Sequence, residues 1–144
     1  MLFRSNFSLS FTIKTRQQSN GEVPIISTKN WLRQENRGWG LALNKMGGIS
    51  IVTGDRSRAK ELHSKIIIND GLKHHIRLSF NDELKLVSME IDGFEQGSIQ
   101  RFKKRGVQSS PYPLTVGGGN KTGQGNLNFF KGTISDLVFY SNKQ

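Results

Sequence analysis

Hydrophobic and polar residues alternate along several short stretches of this chain. In FSLSFTIKT, residues 7–15, Phe, Leu, Phe and Ile occupy every second position, and Ser, Thr and Lys fall between them. A period of two is typical of a β-strand with one face buried and the other in solvent. The same pattern in KHHIRLSF predicts a strand whose polar side carries Lys73, His75, Arg77 and Ser79.

Turn signals divide the rest of the chain into further strands. GWGLALNK and GISIVTG are separated by Met46–Gly48, which predicts an antiparallel hairpin, and Asp92-Gly93 predicts a second, tight one. SKIIIN, residues 64–69, is predicted as a strand. SRAKELHS, residues 57–64, has a weak helical pattern and is predicted as a loop or a single turn.

These elements predict an all-β fold in a single domain spanning residues 1–144. Roughly ten to twelve short strands in this order favour a two-sheet antiparallel sandwich of the jelly-roll type. Sixteen glycines against three prolines fit many tight turns. No repeat or linker divides the chain.

The composition limits the kinds of binding partner that are expected. The chain has 21 Lys and Arg against 11 Asp and Glu, a formal charge of +10. Such a surface attracts anions, although a basic surface without a dedicated anionic partner is an equal alternative. The cations are not interleaved with exposed aromatic residues, so specific nucleic-acid binding is not expected. Without cysteine the chain has no disulfide or thiolate metal site, and no stretch predicts membrane insertion.

The order of the motifs resembles a known superfamily. The succession FSLSFTIKT, PIISTKNW, RGWGLAL, GGISIVTGD, INDGLKHHIRLSF, MEIDG, YPLTVGGG and FFKGTISDLVFY resembles the laminin-G-like, concanavalin A-like lectin/glucanase superfamily over nearly the whole chain. The resemblance implies a concanavalin A-like jelly roll of two curved sheets. It also implies a non-catalytic accessory module of a larger extracellular or cell-surface protein, with a likeness to bacterial members. Relatives usually carry a tryptophan where this chain has Lys73.

Calcium is the cofactor that the resemblance implies, held by carboxylate and carbonyl oxygens at the rim of the sandwich. Asp136 in GTISDLVFY and Asp70 in NDG are the candidate metal ligands. A turn or strand-end hydrogen bond is the alternative role for each carboxylate.

Catalytic chemistry finds little support in the sequence. The best match to the acid pair of a glycoside hydrolase is Glu90-Ile91-Asp92, but Asp92 is better placed in the hairpin turn. His74 and His75 are adjacent on a strand and therefore face opposite ways, so we expect one to be packed beside the core and the other exposed. We predict that the chain is not an enzyme.

Two stretches are candidate carbohydrate sites. Sugars bind to aromatic faces, with amides and guanidinium groups fixing their hydroxyls. Trp39 follows the strand pattern and is predicted to lie in the core, whereas Trp31 is either a sugar platform or a plug at the edge of the sandwich. The groups around this second tryptophan that would bind ligand are Asn30, Arg33, Asn36 and Arg37.

The second candidate surface is the polar side of KHHIRLSF. If that face is concave, Lys73, His75 and Arg77 could receive an acidic glycan; if another domain covers it, it is an interface. The sequence therefore predicts a lectin-like carbohydrate-binding module. The alternative is a structural domain that packs against a partner domain of the same parent protein and binds no sugar.

Overall fold

Antiparallel strands make up the regular structure of this chain. The computed structural model describes residues 6–29, 31, 38–54, 59–81, 85–100, 114–118 and 129–142. Within these ranges the chain forms ten strands and no helix. The strands are β1 (Asn6–Lys14), β2 (Val23–Ser27), β3 (Trp39–Leu43), β4 (Ile49–Gly54), β5 (Ala59–His63), β6 (His74–Asn81), β7 (Leu86–Ile91), β8 (Phe94–Gln100), β9 (Thr115–Val116) and β10 (Thr133–Asn142).

The strands form two five-stranded sheets. The first sheet has the order β10-β1-β6-β7-β8, and the second has the order β5-β4-β3-β2-β9. Every pairing is antiparallel. This architecture confirms the predicted all-β sandwich.

The core lies between the sheets and follows the alternation read from the sequence. In β1 the alternate apolar side chains from Phe7 to Ile13 are buried, and in β6 Ile76, Leu78 and Phe80 are buried. Trp39 of β3 is 1% exposed and packs against Phe80 with ring centroids 5.3 Å apart. The prediction that this tryptophan belongs to the core is confirmed.

Two hairpins match the turn signals. β3 and β4 pair from Trp39↔Thr53 to Leu43↔Ile49. At the β7–β8 turn, Asp92 and Gly93 have φ values of 54° and 83°, the left-handed conformation that this tight turn requires. Pro24 is tolerated in β2 because the register shifts beside it. Among the described residues, β9 pairs with Ile26 and Ser27.

Two local predictions are wrong. The segment expected to be a loop or single turn contains β5, which pairs along β4 from Gly54↔Ala59 to Ser50↔His63. SKIIIN, expected to be a strand, has no strand pairing. Its Lys65 and Ile66 N–H groups both donate to Oε1 of the buried Gln96, at 2.8 and 3.1 Å. A side chain thus replaces the neighbouring strand that the sequence pattern implied.

β10 pairs with β1 on one side and is the outer strand of the first sheet in the described chain. A bulge interrupts the ladder between Ser10 and Thr12, where Asp136 has a φ of 56°. An extra residue in one strand, with a left-handed residue beside it, is typical of a β-bulge. The residues that the structure describes contain no apolar helix of membrane-spanning length.

Candidate functional site

The outward side of the first sheet brings polar side chains from several strands together. Ser10 of β1 lies opposite Arg77 of β6, and Ser8 lies between Ser79 of β6 and Tyr140 of β10. These side chains point away from the core because their neighbours in sequence point into it. We call this surface, centred on Arg77, the Arg77 face.

Two hollows meet on the Arg77 face. One, of about 400 Å³, is lined by Ser8, Ser10, His75, Arg77 and Tyr140. The other, of about 330 Å³, extends toward β7 and β8. Ser8 and Arg77 line both of them. Volumes of this size suit a small ligand such as one or two sugar rings.

Short side chains create this depression. Ser8 and Ser10 are buried on the floor, whereas Arg77, His75 and Tyr140 are exposed around it. The hydroxyl, guanidinium and aromatic groups offered here are those that bind sugar hydroxyls, a sugar carboxylate and a ring face. The larger side chains therefore form walls rather than filling the space.

The guanidinium of Arg77 is available to a ligand. Glu90 lies opposite it in the β6–β7 ladder, but Arg77 forms no ion pair with any of the described residues. Glu95 lines the second hollow and adds a negative charge at its far side. A ligand carboxylate is therefore best placed in the first hollow, away from Glu95.

The structure unites only part of the predicted cationic surface. His75 and Arg77 line the same hollow, but Lys73 is exposed before β6 begins and lines neither hollow. The sequence reading missed Ser8, Ser10 and Tyr140. The sequence predicted only that Ser8 and Ser10 lie on the solvent side of β1, because their proximity to Arg77 depends on strand register.

Trp31 lies on the outward side of the second sheet. Its indole Nε1 donates to Ser27 Oγ at 2.8 Å, and Lys29 Nζ lies 4.1 Å from the ring centroid. The ring edge contacts the backbone of Gly40, where a Cβ would clash with it. The half-buried indole is thus already engaged by its own chain, through its N–H and by a cation over its ring.

The other residues proposed around this tryptophan cannot be placed. Asn30, Arg33, Asn36 and Arg37 lie outside the described residues. Their role in ligand binding stays a prediction.

His74, the first residue of the central strand β6, joins two carboxylates. Its Nδ1 lies 2.6 Å from Asp92 Oδ2, and its Nε2 lies 2.9 Å from Asp70 Oδ1. Asp92 Oδ1 also accepts the backbone N–H of His75 at 2.8 Å, and Asp70 Oδ1 accepts that of Leu72 at 2.9 Å. As predicted, one histidine of the pair is buried and the other is exposed.

The charges of this cluster reinforce one another. Burial lowers the pKa of His74, but the hydrogen bonds and charges of Asp92 and Asp70 outweigh it, so the pKa is raised above its ordinary value. The N–H of Leu72 and the hydrogen bond to His74 lower the pKa of Asp70. Burial raises the pKa of Asp92, but the N–H of His75 and the contact with His74 outweigh this effect, so the pKa is lowered below its ordinary value.

The two predicted calcium ligands, Asp70 and Asp136, lie in different surroundings in the described chain. One oxygen of Asp70 already accepts from Leu72 and contacts His74. No group of three or more His, Asp or Glu side chains among the described residues is arranged to hold a metal ion, and none therefore includes Asp136. Calcium binding stays a sequence-based prediction.

Comparison with known families identifies the class of domain. The Laminin G domain family matches residues 13–142, so the chain belongs to the laminin G domain family. The resemblance inferred from the order of the motifs is thereby confirmed. A search of curated protein sequences finds no match.

Solved structures share the fold at low sequence identity. Domains LG4-5 of the mouse laminin alpha1 chain superpose with a TM-score of 0.71 at 15% identity, over 94% of this chain and 36% of that chain. The CBM40 domain of the Ruminococcus gnavus IT-sialidase gives 0.75 at 15% identity, over 95% and 76% of the respective chains. The same CBM40 bound to alpha2,3 sialyllactose gives 0.71 at 13% identity, over 95% and 75%.

Proposed function

We propose that this domain is a non-catalytic carbohydrate-recognition module that binds a carboxylated sugar on the Arg77 face. The exposed guanidinium of Arg77 at the meeting point of two serine-lined hollows supports this proposal most directly. A planar guanidinium matches a carboxylate with two parallel hydrogen bonds, which a point charge does not. Tyr140 would pack against the sugar ring, and the serines would meet its hydroxyls.

The fold neighbours make this ligand class a natural first probe. The Ruminococcus gnavus CBM40 domain carries sialyllactose, a carboxylated sugar, in its solved complexes. We extend that chemistry to the present chain because Arg77, His75 and the two serines supply matching groups. We further propose that the module belongs to a larger extracellular or cell-surface bacterial protein, in which a partner domain carries any catalysis.

The contacts of Asp92 support a module without catalysis. Asp92, the second acid of Glu90-Ile91-Asp92, contacts His74 and accepts the backbone N–H of His75. Its carboxylate therefore serves the hairpin rather than a pair of catalytic acids across a sugar.

Isothermal titration with 3′-sialyllactose, and with lactose as the neutral control, tests the proposal. The wild type should bind sialyllactose in preference to lactose, and Arg77→Gln should weaken binding by about tenfold or more, equivalent to about 1.4 kcal/mol. Arg77→Lys should recover only part of the loss because it keeps the charge without the planar fork.

Lys73→Gln is the matched control, since it removes the same charge from a side chain that lines neither hollow. It should bind like the wild type. Equal losses in Arg77→Gln and Lys73→Gln, or equal binding of lactose, would overturn carboxylate recognition. Absence of binding to any sugar at millimolar concentration would overturn the proposed function as a whole.

A partner-packing role is the second candidate, and the outer strand β10 favours it. Val138 and Phe139 are each 40% exposed on this strand, and apolar side chains at a sheet edge suit contact with another protein surface. In the full-length parent, burial of β10 would appear as protection of its amides from hydrogen exchange. Equal exchange in the isolated domain and the parent would exclude this role.

A further inference from the structure

A third hollow, of about 730 Å³, lies at one end of the sandwich, away from the residues that line the Arg77 face. Four chain segments surround it: residues 17–20 after β1, Lys45 and Met46 in the β3–β4 hairpin, Ile67 and Asn69 before β6, and Phe129 and Lys131 before β10. We call it the rim pocket. Its volume is in the range of pockets that hold small ligands.

Hydrogen bonds between the segments hold the rim pocket open before any ligand arrives. Gln17 joins two of the walls, because its Nε2 donates to Phe129 O at 3.1 Å and its Oε1 accepts Lys131 N–H at 2.7 Å. Asn69 Nδ2 donates to Gln17 O at 3.0 Å. Ile68 N–H donates to Gly47 O at 2.8 Å and ties the hairpin to the same frame. A preformed pocket loses less entropy on binding.

The lining combines two lysines with amides and no acid. Lys45 and Lys131 are exposed, and none of the described residues that line the pocket is acidic. Gln18 and Asn20 add amide groups, each of which both donates and accepts hydrogen bonds. This set suits a ligand that carries many hydroxyls and a negative charge.

An apolar wall completes the pocket. Phe129 is 65% exposed, and Met46 and Ile67 are also exposed on the pocket lining. Large apolar side chains clustered around a polar hollow are typical of binding surfaces. The face of a phenyl ring is the group against which the C–H side of a pyranose packs.

We propose that the rim pocket is a second saccharide site, which takes an anionic sugar unit of a longer chain. The sugar ring packs on Phe129, its hydroxyls bond to Gln18 and Asn20, and its acidic group pairs with Lys45 or Lys131. The site does not include Arg77, so it can be tested separately from the proposed function. Two sites on one module would raise the apparent affinity for a long acidic glycan through effective concentration.

Nuclear magnetic resonance of the ¹⁵N-labelled domain tests this site directly. Hyaluronan tetrasaccharide is the anionic probe, chitotetraose is the neutral one, and sodium sulfate at equal ionic strength controls for simple anion binding. Hyaluronan should shift the side-chain amide signals of Gln18, Asn20 and Asn69, in the wild type and in Arg77→Gln alike. Chitotetraose should shift them less, and sulfate should leave them unchanged.

Phe129→Ala should weaken the hyaluronan response by about tenfold. Phe94→Ala is the matched control, because Phe94 is 67% exposed and lies outside the pocket. The wild-type dispersion of the remaining amide signals verifies the fold of both variants. A double variant, Lys45→Gln with Lys131→Gln, should lose the preference for hyaluronan over chitotetraose.

Four results would overturn the proposal. The first is no shift of the three amide signals with either saccharide at millimolar concentration. The second is an equal response to sulfate, which would make the pocket a simple anion site. The third is an equal loss in Phe94→Ala and Phe129→Ala. Shifts confined to the Arg77 face would also overturn it, while leaving the proposed function intact.

Discussion

The outer faces of the two sheets differ in what covers them. On the first sheet the outward-facing His75 and Arg77 are exposed. On the second sheet every residue of β2, β3 and β4 is buried, including the outward-facing Ala42 and Ser50. Both faces contain short side chains, so residue size alone does not explain the difference.

The second face is filled by the chain itself. The Trp31 indole lies against Gly40, Lys29 lies over the indole, and His63 Nδ1 contacts Ser50 Oγ at 2.6 Å. On the first face Ser8 and Ser10 are buried as well, but a hollow remains beside them, lined by the exposed His75, Arg77 and Tyr140. A row of small residues leaves room for a ligand only where the chain does not cover it.

The largest change in stability is expected from a substitution on the buried side of β6, compared with one on its exposed side. Leu78→Ala empties a fully buried position and should lower the free energy of unfolding by about 2–5 kcal/mol. Arg77→Ala, one residue away on the exposed side, should change it by less than about 0.5 kcal/mol. Urea unfolding of both variants measures this. Similar losses would mean that Arg77 supports the fold and is not free for ligand.

Removing the cover of the second face should have an intermediate effect. Trp31→Ala eliminates the bond to Ser27 and the contact with Lys29, and should lower the free energy of unfolding by about 1–2 kcal/mol. Tyr140→Ala on the first face should cost less than that and should instead weaken sugar binding. The comparison fails if Trp31→Ala leaves stability unchanged but abolishes binding to sialyllactose, since that would make Trp31 the platform.

The pH dependence of unfolding should report the His74 cluster. The pKa of His74 is raised from 6.5, so its stabilising contribution is complete below that value and is lost as pH rises through the raised pKa. The pKa values of Asp70 and Asp92 are lowered from 3.8, so their contribution is complete above that value and is lost as pH falls through the lowered pKa. Stability should therefore be highest between these limits.

Chemical unfolding from about pH 3 to about pH 9 measures this profile. His74→Gln should remove the alkaline decline, whereas His75→Gln, on the exposed side of the same strand, should retain it. An unchanged alkaline decline in His74→Gln would assign it to another group.

Filling the first face should affect binding more than stability. Ser10→Leu places a bulky side chain on the floor of the hollow beside Arg77, and because Ser10 is buried, overpacking should lower the free energy of unfolding by about 1 kcal/mol. It should nevertheless weaken sialyllactose binding by about tenfold or more, because the space is lost. Thr12→Leu, two residues along on the same side of β1, lines neither hollow and should bind normally. Titration calorimetry of both variants decides this.

The sequence predicted the parts of the fold that depend on local pattern. Alternation in β1 and β6 places their core residues correctly, and the Asp92-Gly93 turn is set by conformations that only a few residues adopt easily. The failures have tertiary causes. Ala59–His63 contains good helix formers, but pairing with β4 overrides that propensity, and as an outer strand it shows no regular apolar side.

The candidate site was predictable only in part, because it depends on register. Alternation showed that His75 and Arg77 face solvent, but it could not show that Ser8, Ser10 and Tyr140 stand beside them. That proximity follows from the pairing of β1 with β6 and β10, between segments far apart in the chain. The rim pocket is formed by four separate chain segments, and none of them alone carries a sequence pattern that predicts it.

The double acceptor role of Gln96 links two distant parts of the molecule. Its Oε1 receives the N–H groups of Lys65 and Ile66, directly before the wall residues Ile67 and Asn69. Replacing this amide with an apolar side chain would leave two N–H groups without that acceptor and release the segment they anchor. Sequence variation on β8 could therefore retune ligand preference at the end of the sandwich without altering any residue that meets the ligand.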